Sequence, residues 1–192
     1  AEHPDNPALR GQHNQQNSAA ARIICQQFGL TDNVIDMAIC SFAGMPHRLQ
    51  PAGQFRRIRF INDSKATNSE AAAKALASFS QIHWCAGGLA KEDGLSACLP
   101  YLKNVCQGYF YGQCKDVFAE AVKSRVKVSL HDTLEQAVQA AAEAAGQHPS
   151  NKQTILLAPA AASFDQFASF EARGESFCNL AKQQIAKFQA TV

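Results

Sequence analysis

Residues 55–88 read FRRIRFINDSKATNSEAAAKALASFSQIHWCAGG, and the spacing of apolar residues changes twice within this one stretch. From Phe55 to Ile61 apolar and basic side chains alternate, the period of a strand with one face buried. A polar run, Asn62 to Asn68, follows. Asn68 to Phe79 then places Ala71, Ala72, Ala75, Leu76 and Phe79 on one side of a helix. Ile82 to Ala86 is a short apolar strand ending in two glycines. Strand, helix and strand in about thirty residues is the unit from which parallel sheets are built.

The same alternation continues downstream. A short, weak helix over 95–103 precedes a strand at Gly108–Tyr111. Gln113–Lys123 reads as a helix turning Cys114, Val117, Phe118, Ala121 and Val122 inward. Val126–Leu130 is a strand, and Thr133–Ala145 a helix buried through Leu134, Ala137, Val138 and Ala141. Thr154–Ala158 is a continuous apolar strand, and Phe167 to about Gln189 a long closing helix. The fold class is α/β, a mostly parallel sheet with helices on both faces. Upstream the pattern is different. Residues 1–16 lack periodicity. From Asn17 a helix carries Ala20, Ile24 and Phe28 on one face up to Gly29. A second, from about Asp32, carries Ile35, Ala38, Ile39 and Phe42 until Gly44, Met45 and Pro46 break it. With no strand of their own, these helices read as the tail of a domain whose sheet lies upstream.

Composition narrows the function classes. The chain has 46% hydrophobic and 18% charged residues and a net charge of +2, which gives no reason to expect nucleic acid or a membrane surface as partner. Arg56, Arg57 and Arg59 suit the solvated face of a strand. No apolar run reaches membrane-helix length, and Ala1 to Arg10 is too polar for a secretory leader. Seven cysteines without C-x-x-C pairing read as buried or half-buried thiols of a reducing cytoplasm, not as a zinc site.

In open α/β sheets, ligands bind beyond the carboxyl ends of the strands. Three turns leave such ends. In Asn62–Asn68, Thr67 and Glu70 form a capping-box pair, Lys65 offers a cation and Asp63 a carboxylate suited to a ribose hydroxyl. In Gly87–Gly94, paired glycines permit close approach and Lys91 offers a second cation. In Pro159–Gln166, small residues precede a second capping-box pair, Ser163 and Gln166. Each turn taken alone reads equally as an ordinary helix start with solvated charges. Together they suit a small acidic ligand.

These turns, with Phe170-Glu171-x-Arg173-Gly174, Gly11-x-His13-Asn14-x-x-Asn17 and Gly44-x-Pro46-His47-Arg48, resemble the D-glutamate-adding Mur ligases. The motifs follow the family's order along essentially the whole chain, although Ala158 stands where the family usually has a serine. The resemblance implies two segments. Residues 1–44 would end a central ATP-binding domain, and 45–192 would form a Rossmann-like D-glutamate-binding domain. It implies that Asn14, Asn17, Arg48 and Asp63 face ATP. Lys65, Thr67, Lys91, Ser163, Phe164 and Phe170 would surround D-glutamate. His13 and His47 read as structural. No residue here would act as a covalent catalyst and none would bind metal.

The activity implied is a cytoplasmic, monomeric, ATP- and Mg2+-dependent ligase of peptidoglycan precursor synthesis. The carboxylate of UDP-N-acetylmuramoyl-L-alanine would become an acyl phosphate, which the amino group of D-glutamate attacks. The sequence contains no G-x-x-x-x-G-K-[ST] loop, so these residues alone are expected to be inactive. UDP-N-acetylmuramoyl-L-alanine and ATP would be held largely by missing domains. Two rivals remain at this level: a binding domain that kept the fold and lost catalysis, and a folylpolyglutamate-type ligase.

Overall fold

The computed structural model describes residues 6, 9, 11–147 and 152–190; of His13 it describes the backbone only, and the polar stretch 1–10 lies largely outside this set. Six strands form the main sheet: β1 (Gln50–Phe55), β2 (Ile58–Asn62), β3 (Ile82–Gly87), β5 (Val105–Tyr111), β6 (Lys127–His131) and β7 (Gln153–Leu157). A two-residue ribbon pairs β4 (Leu89–Ala90) with β8 (Ala161–Ala162). The spatial order is β1-β2-β7-β3-β5-β6, parallel throughout except for β1, which runs antiparallel to β2. This is the mostly parallel α/β sheet expected from the sequence.

Both faces are covered, and along the inner strands successive side chains enter opposite cores. Trp84, Ala86, Phe110, Leu156 and Ala158 join the core beneath α3 (Ser69–Ala77) and α4 (Lys115–Val122). Cys85, Tyr109, Tyr111, Ile155 and Leu157 join the opposite core, under α5 (Leu134–Gly146) and α6 (Phe170–Ala190). Trp84 is fully buried and donates its indole N–H to the Ala158 carbonyl at 2.8 Å.

Several expectations need correction. Phe55–Ile61 is not one strand: the chain reverses at Arg56 and Arg57, with Arg56 at φ 50°, and a further strand, β1, precedes the turn. The alternation of Arg with apolar residues concealed the reversal. Pro51 and Gly53 lowered the strand signal of β1, yet an edge strand with a bulge between them accommodates both. In α4 the buried row is Cys114, Phe118 and Val122, one residue every four, while Val117 and Ala121 face solvent. The segment 96–104 is a 3-10 helix containing Pro100, and α6 begins at Phe170, not Phe167. Cys40 and Cys106 are exposed, so not all thiols are sheltered; burial pushes those of Cys98 and Cys114 up to about 12.

Before this unit lie α1 (Gln12–Gln27), which starts earlier than its apolar pattern, and α2 (Asp32–Ser41). Arg22 on α1 pairs with Asp32 at 3.0 Å and with Asp36, and the Asn6 amide donates to the Ile39, Cys40 and Phe42 carbonyls that end α2. The face of Ala20, Ile24 and Phe28 is bare, however, with Phe28 83% exposed. Of the α2 residues expected to face inward, only Ile35 is buried.

Candidate functional site

The strand order answers the geometric question that the sequence left open. Chain order would separate the turns after β2, β3 and β7, but β7 inserts between β2 and β3. All three turns therefore leave the same edge of the sheet from adjacent strands, the outer two separated by about 10 Å, or two strand spacings.

The first turn is built on Asn62 and Asp63. The buried Asn62 side-chain Oδ1 accepts from the Ser64 amide at 3.1 Å. Its side-chain NH2 lies near His47 Nδ1, Gln50 Oε1, the Gly174 carbonyl and Cys178 Sγ. The Asp63 carboxylate accepts from the Leu49 amide at 3.1 Å. Burial pushes this carboxyl up to about 7 despite that bond and the charge of Arg48. Asn68, not Thr67, caps α3, its side chain accepting from the Ala71 amide at 2.8 Å. A β-region Asn one residue nearer the helix took the role that the capping-box pattern gave to Thr67. Lys65 is exposed, and its ammonium lies 3.9 Å from the centre of the Phe170 ring.

The second turn runs against its neighbours. A Cβ on Gly87 would fall 2.1 Å from the Tyr111 carbonyl oxygen, and one on Gly88 2.0 Å from that of Ala162, with both residues at positive φ. Here the pairing of glycines is obligatory. Beyond them, β4 pairs with β8 in the register Leu89↔Ala162 and Ala90↔Ala161, so Lys91 leaves one end of the ribbon and Ser163 the other.

In the third turn the Ala160 amide donates to the Ala66 carbonyl at 2.9 Å and the Pro159 carbonyl accepts from Gly87 at 3.1 Å, tying this turn to both others. Ser163 is 2% exposed, and its backbone carbonyl accepts from the amides of Gln166 and Phe167. The expected Ser163–Gln166 capping box is absent. The Gln166 side chain turns away to Asp132 and Leu134, and the Ser169 hydroxyl, accepting from Ala172, serves the start of α6. Phe164 is 69% exposed.

Two groupings emerge. Asn17, Arg48, Asp63 and Lys65 line one crevice of about 290 Å³ together with Gln16 and Lys74, joining α1 to the first turn. Asn14 is buried close by in sequence but does not line it. Thr67, Lys91, Ser163, Phe164 and Phe170 lie outside this crevice, on the three tied turns and the first turn of α6. Lys65 belongs to both groupings, facing the crevice and the Phe170 ring. Sequence reasoning gave no role to Asn62, Lys74 or Arg173. Asn62 and Arg173 stood inside quoted motifs, and their buried polarity was the missing signal. His47, read as structural, contacts Asn62 and packs edge-on to Phe170 at 6.2 Å. It also sits where a Cβ on Gly174 would fall 2.2 Å from its Nδ1.

Relatives with this sequence are known. UDP-N-acetylmuramoylalanine–D-glutamate ligase of Rhizobium johnstonii is 44% identical over 169 residues, 88% of this chain and 36% of the relative. The enzyme of the same name from Roseobacter denitrificans is 45% identical over 182 residues, 95% of this chain and 37% of the relative. The chain is homologous to the D-glutamate-adding Mur ligases. It spans little more than a third of their length. No family model matches the chain.

The Mur ligase fold is shared more widely. UDP-N-acetylmuramate-alanine ligase of Thermotoga maritima superposes with a TM-score of 0.66 at 13% identity, over 95% of this chain and 39% of the other. A pseudomurein peptide ligase type C from Methanothermus fervidus gives 0.59 at 14% identity, over 93% of this chain and 36% of the other. Among the described residues no helix is long and apolar enough to cross a membrane.

Proposed function

We propose that this chain is the carboxy-terminal part of a cytoplasmic ligase that joins D-glutamate to UDP-N-acetylmuramoyl-L-alanine at the expense of ATP. In this reading, residues 1–44 close a central ATP-binding domain and residues 45–192 receive the amino acid. The observation that carries it is that the turns bearing Lys65, Lys91 and Ser163 leave adjacent strands at one edge of the sheet. A dicarboxylic acid presents two anions, and two ammonium groups, two hydroxyls and backbone amides are the groups that hold them.

The residues present also suit ATP. The crevice offers Arg48, Lys65 and Lys74 to a polyphosphate, the Asn17 amide to a base, and Asp63 to a ribose hydroxyl. With its carboxyl raised to about 7, Asp63 can donate as well as accept at neutral pH. ATP supplies the phosphoryl group that activates the acceptor carboxylate, with Mg2+ held by residues of the missing part. This chain's own work is to bind and orient. Lys91, Lys65, Ser163 and Thr67 fix the D-glutamate carboxylates so that the amino group points towards the activated carbonyl, and Lys65 at the junction senses both ligands. No covalent nucleophile is required.

The bare apolar face of α1 and α2 fits the same reading, because the relatives continue well beyond the length of this chain. Its occupant in this reading is the remainder of the central domain, whose sheet the two helices would cover. By itself the chain is expected to release no phosphate from ATP.

Charge-assisted hydrogen bonds of this kind are worth roughly 1.5–3 kcal/mol against truncation. Lys91→Ala and Ser163→Ala in the whole ligase are therefore expected to raise the Michaelis constant for D-glutamate at least about tenfold. Steady-state kinetics unchanged in both variants sinks the assignment.

A further inference from the structure

We infer that Arg173 is a clamp that holds the three turns in one rim and so positions the ligand-binding residues without touching the ligand. The guanidinium is completely buried. Its Nε donates to the Ser64 hydroxyl at 3.0 Å, Nη2 to the Ser64 carbonyl at 3.0 Å, and Nη1 to the carbonyls of Gly87 at 3.3 Å and Ala161 at 3.0 Å. Ser64 belongs to the turn after β2, Gly87 ends β3, and Ala161 lies beyond β7. One side chain thus touches all three turns.

Chemistry makes this an unusual use of a cation. Every acceptor is neutral, and among the described residues no carboxylate pairs with Arg173. Taking an unpaired cation out of water is costly, and an apolar side chain of similar volume would avoid that cost. What an apolar residue cannot do is donate in one plane to three separate backbone segments. Lysine has three donors around a single nitrogen and no fork, so it cannot span them either.

The neighbours of Arg173 extend the clamp. The Ser64 hydroxyl that accepts from Nε donates in turn to the Phe170 carbonyl at 2.7 Å, so the start of α6, with the ring beneath Lys65, is held by the same bonds. The adjacent Gly174 leaves room for His47, which pins the segment leading to Arg48. A buried positive charge directly below the rim also favours an anionic ligand above it, through a medium that screens poorly. This last point rests on the proposed D-glutamate site; the mechanical role does not.

Amide hydrogen exchange of the 192-residue chain separates the two. In Arg173→Met, amides at Lys65–Thr67, Gly88–Lys91 and Ala161–Ser163 are expected to exchange at least about tenfold faster together, the size of one lost charge-assisted hydrogen bond, while β5 and β6 keep their rates. Leu180→Ala, which weakens the same helix without a bond to any turn, should not single out these three segments. If Arg173→Met does not fold, Arg173→Lys carries the test, with the same three segments loosened and the charge retained. Rates unchanged, or raised in one turn only, overturn the clamp whatever D-glutamate does. In the whole ligase the clamp predicts a raised Michaelis constant for D-glutamate. Failure of the wild-type protein to bind D-glutamate would refute the functional reading and leave the exchange comparison standing.

Discussion

The α/β unit and the helical pair before it are made of similar residues and have opposite fates. Up to Met45, Ile23, Ile24, Phe28, Leu30, Val34, Met37, Phe42 and Met45 are exposed; after it only Val117, Leu130 and Phe164 are, among the described residues. In the α/β unit the large side chains Trp84, Phe60, Phe110, Phe118 and Phe177 are wholly buried between sheet and helices. An amphipathic sequence makes a helix in either place, but only a sheet gives it something to cover. In the proposed reading, the bare apolar face of the helical pair is covered by the rest of the central domain.

The sharpest way to break this comparison is a pair of matched truncations. Trp84→Ala removes a buried indole and its hydrogen bond, and is expected to cost about 3–5 kcal/mol in urea unfolding. Phe28→Ala removes an exposed ring and should change stability by less than about 0.5 kcal/mol. Comparable losses in the two variants would mean that the helical pair has a core of its own.

A second test uses the buried carboxyl at the junction of the two regions. Because the folded state raises the Asp63 carboxyl from 3.8 to about 7, the fold binds a proton that the unfolded chain releases. Its contribution is fully present below pH about 4 and is lost as pH rises through about 7. Asp63→Asn mimics the protonated form and keeps an acceptor for the Leu49 amide. It should flatten this dependence and exceed the wild type in stability at pH 8, by up to roughly 4 kcal/mol. Urea midpoints at pH 5 and pH 8 decide it; a wild type whose stability is unchanged over that interval would show the carboxylate to be charged throughout.

The smallest expected effect is the removal of residues 1–44. The α/β unit should keep its unfolding midpoint to within about 0.5 kcal/mol while binding of a hydrophobic dye falls sharply. Collapse of the sheet on truncation would show that the two regions fold as one.

Much of this was legible in the sequence. Periodicity was enough for the parallel sheet because each helix buries one stripe and each inner strand is apolar on both sides. It failed at β1, where Pro51 and Gly53 sit on an edge strand and Arg56 turns the chain, because edges tolerate residues that central strands reject. The motifs brought Lys65, Lys91 and Ser163 to notice, yet their common rim depended on β7 entering between β2 and β3, a long-range fact that no local pattern carries. The capping roles of Thr67 and Ser163 failed because the helices start later than the patterns placed them: Asn68, one residue on, caps α3, and α6 begins after Ser169, six residues beyond Ser163. Arg173 was hidden because a charged residue in a helix reads as solvent-facing until its burial is known.

The most direct measurement is a titration of the chain with D-glutamate and, separately, L-glutamate, followed by amide NMR shifts. Saturable shifts with D-glutamate at Lys65–Thr67, Lys91 and Ser163–Phe164, and weaker or no shifts with L-glutamate, are the predicted result. Shifts confined to one turn, or equal for the two enantiomers, would contradict a shared rim built for this amino acid.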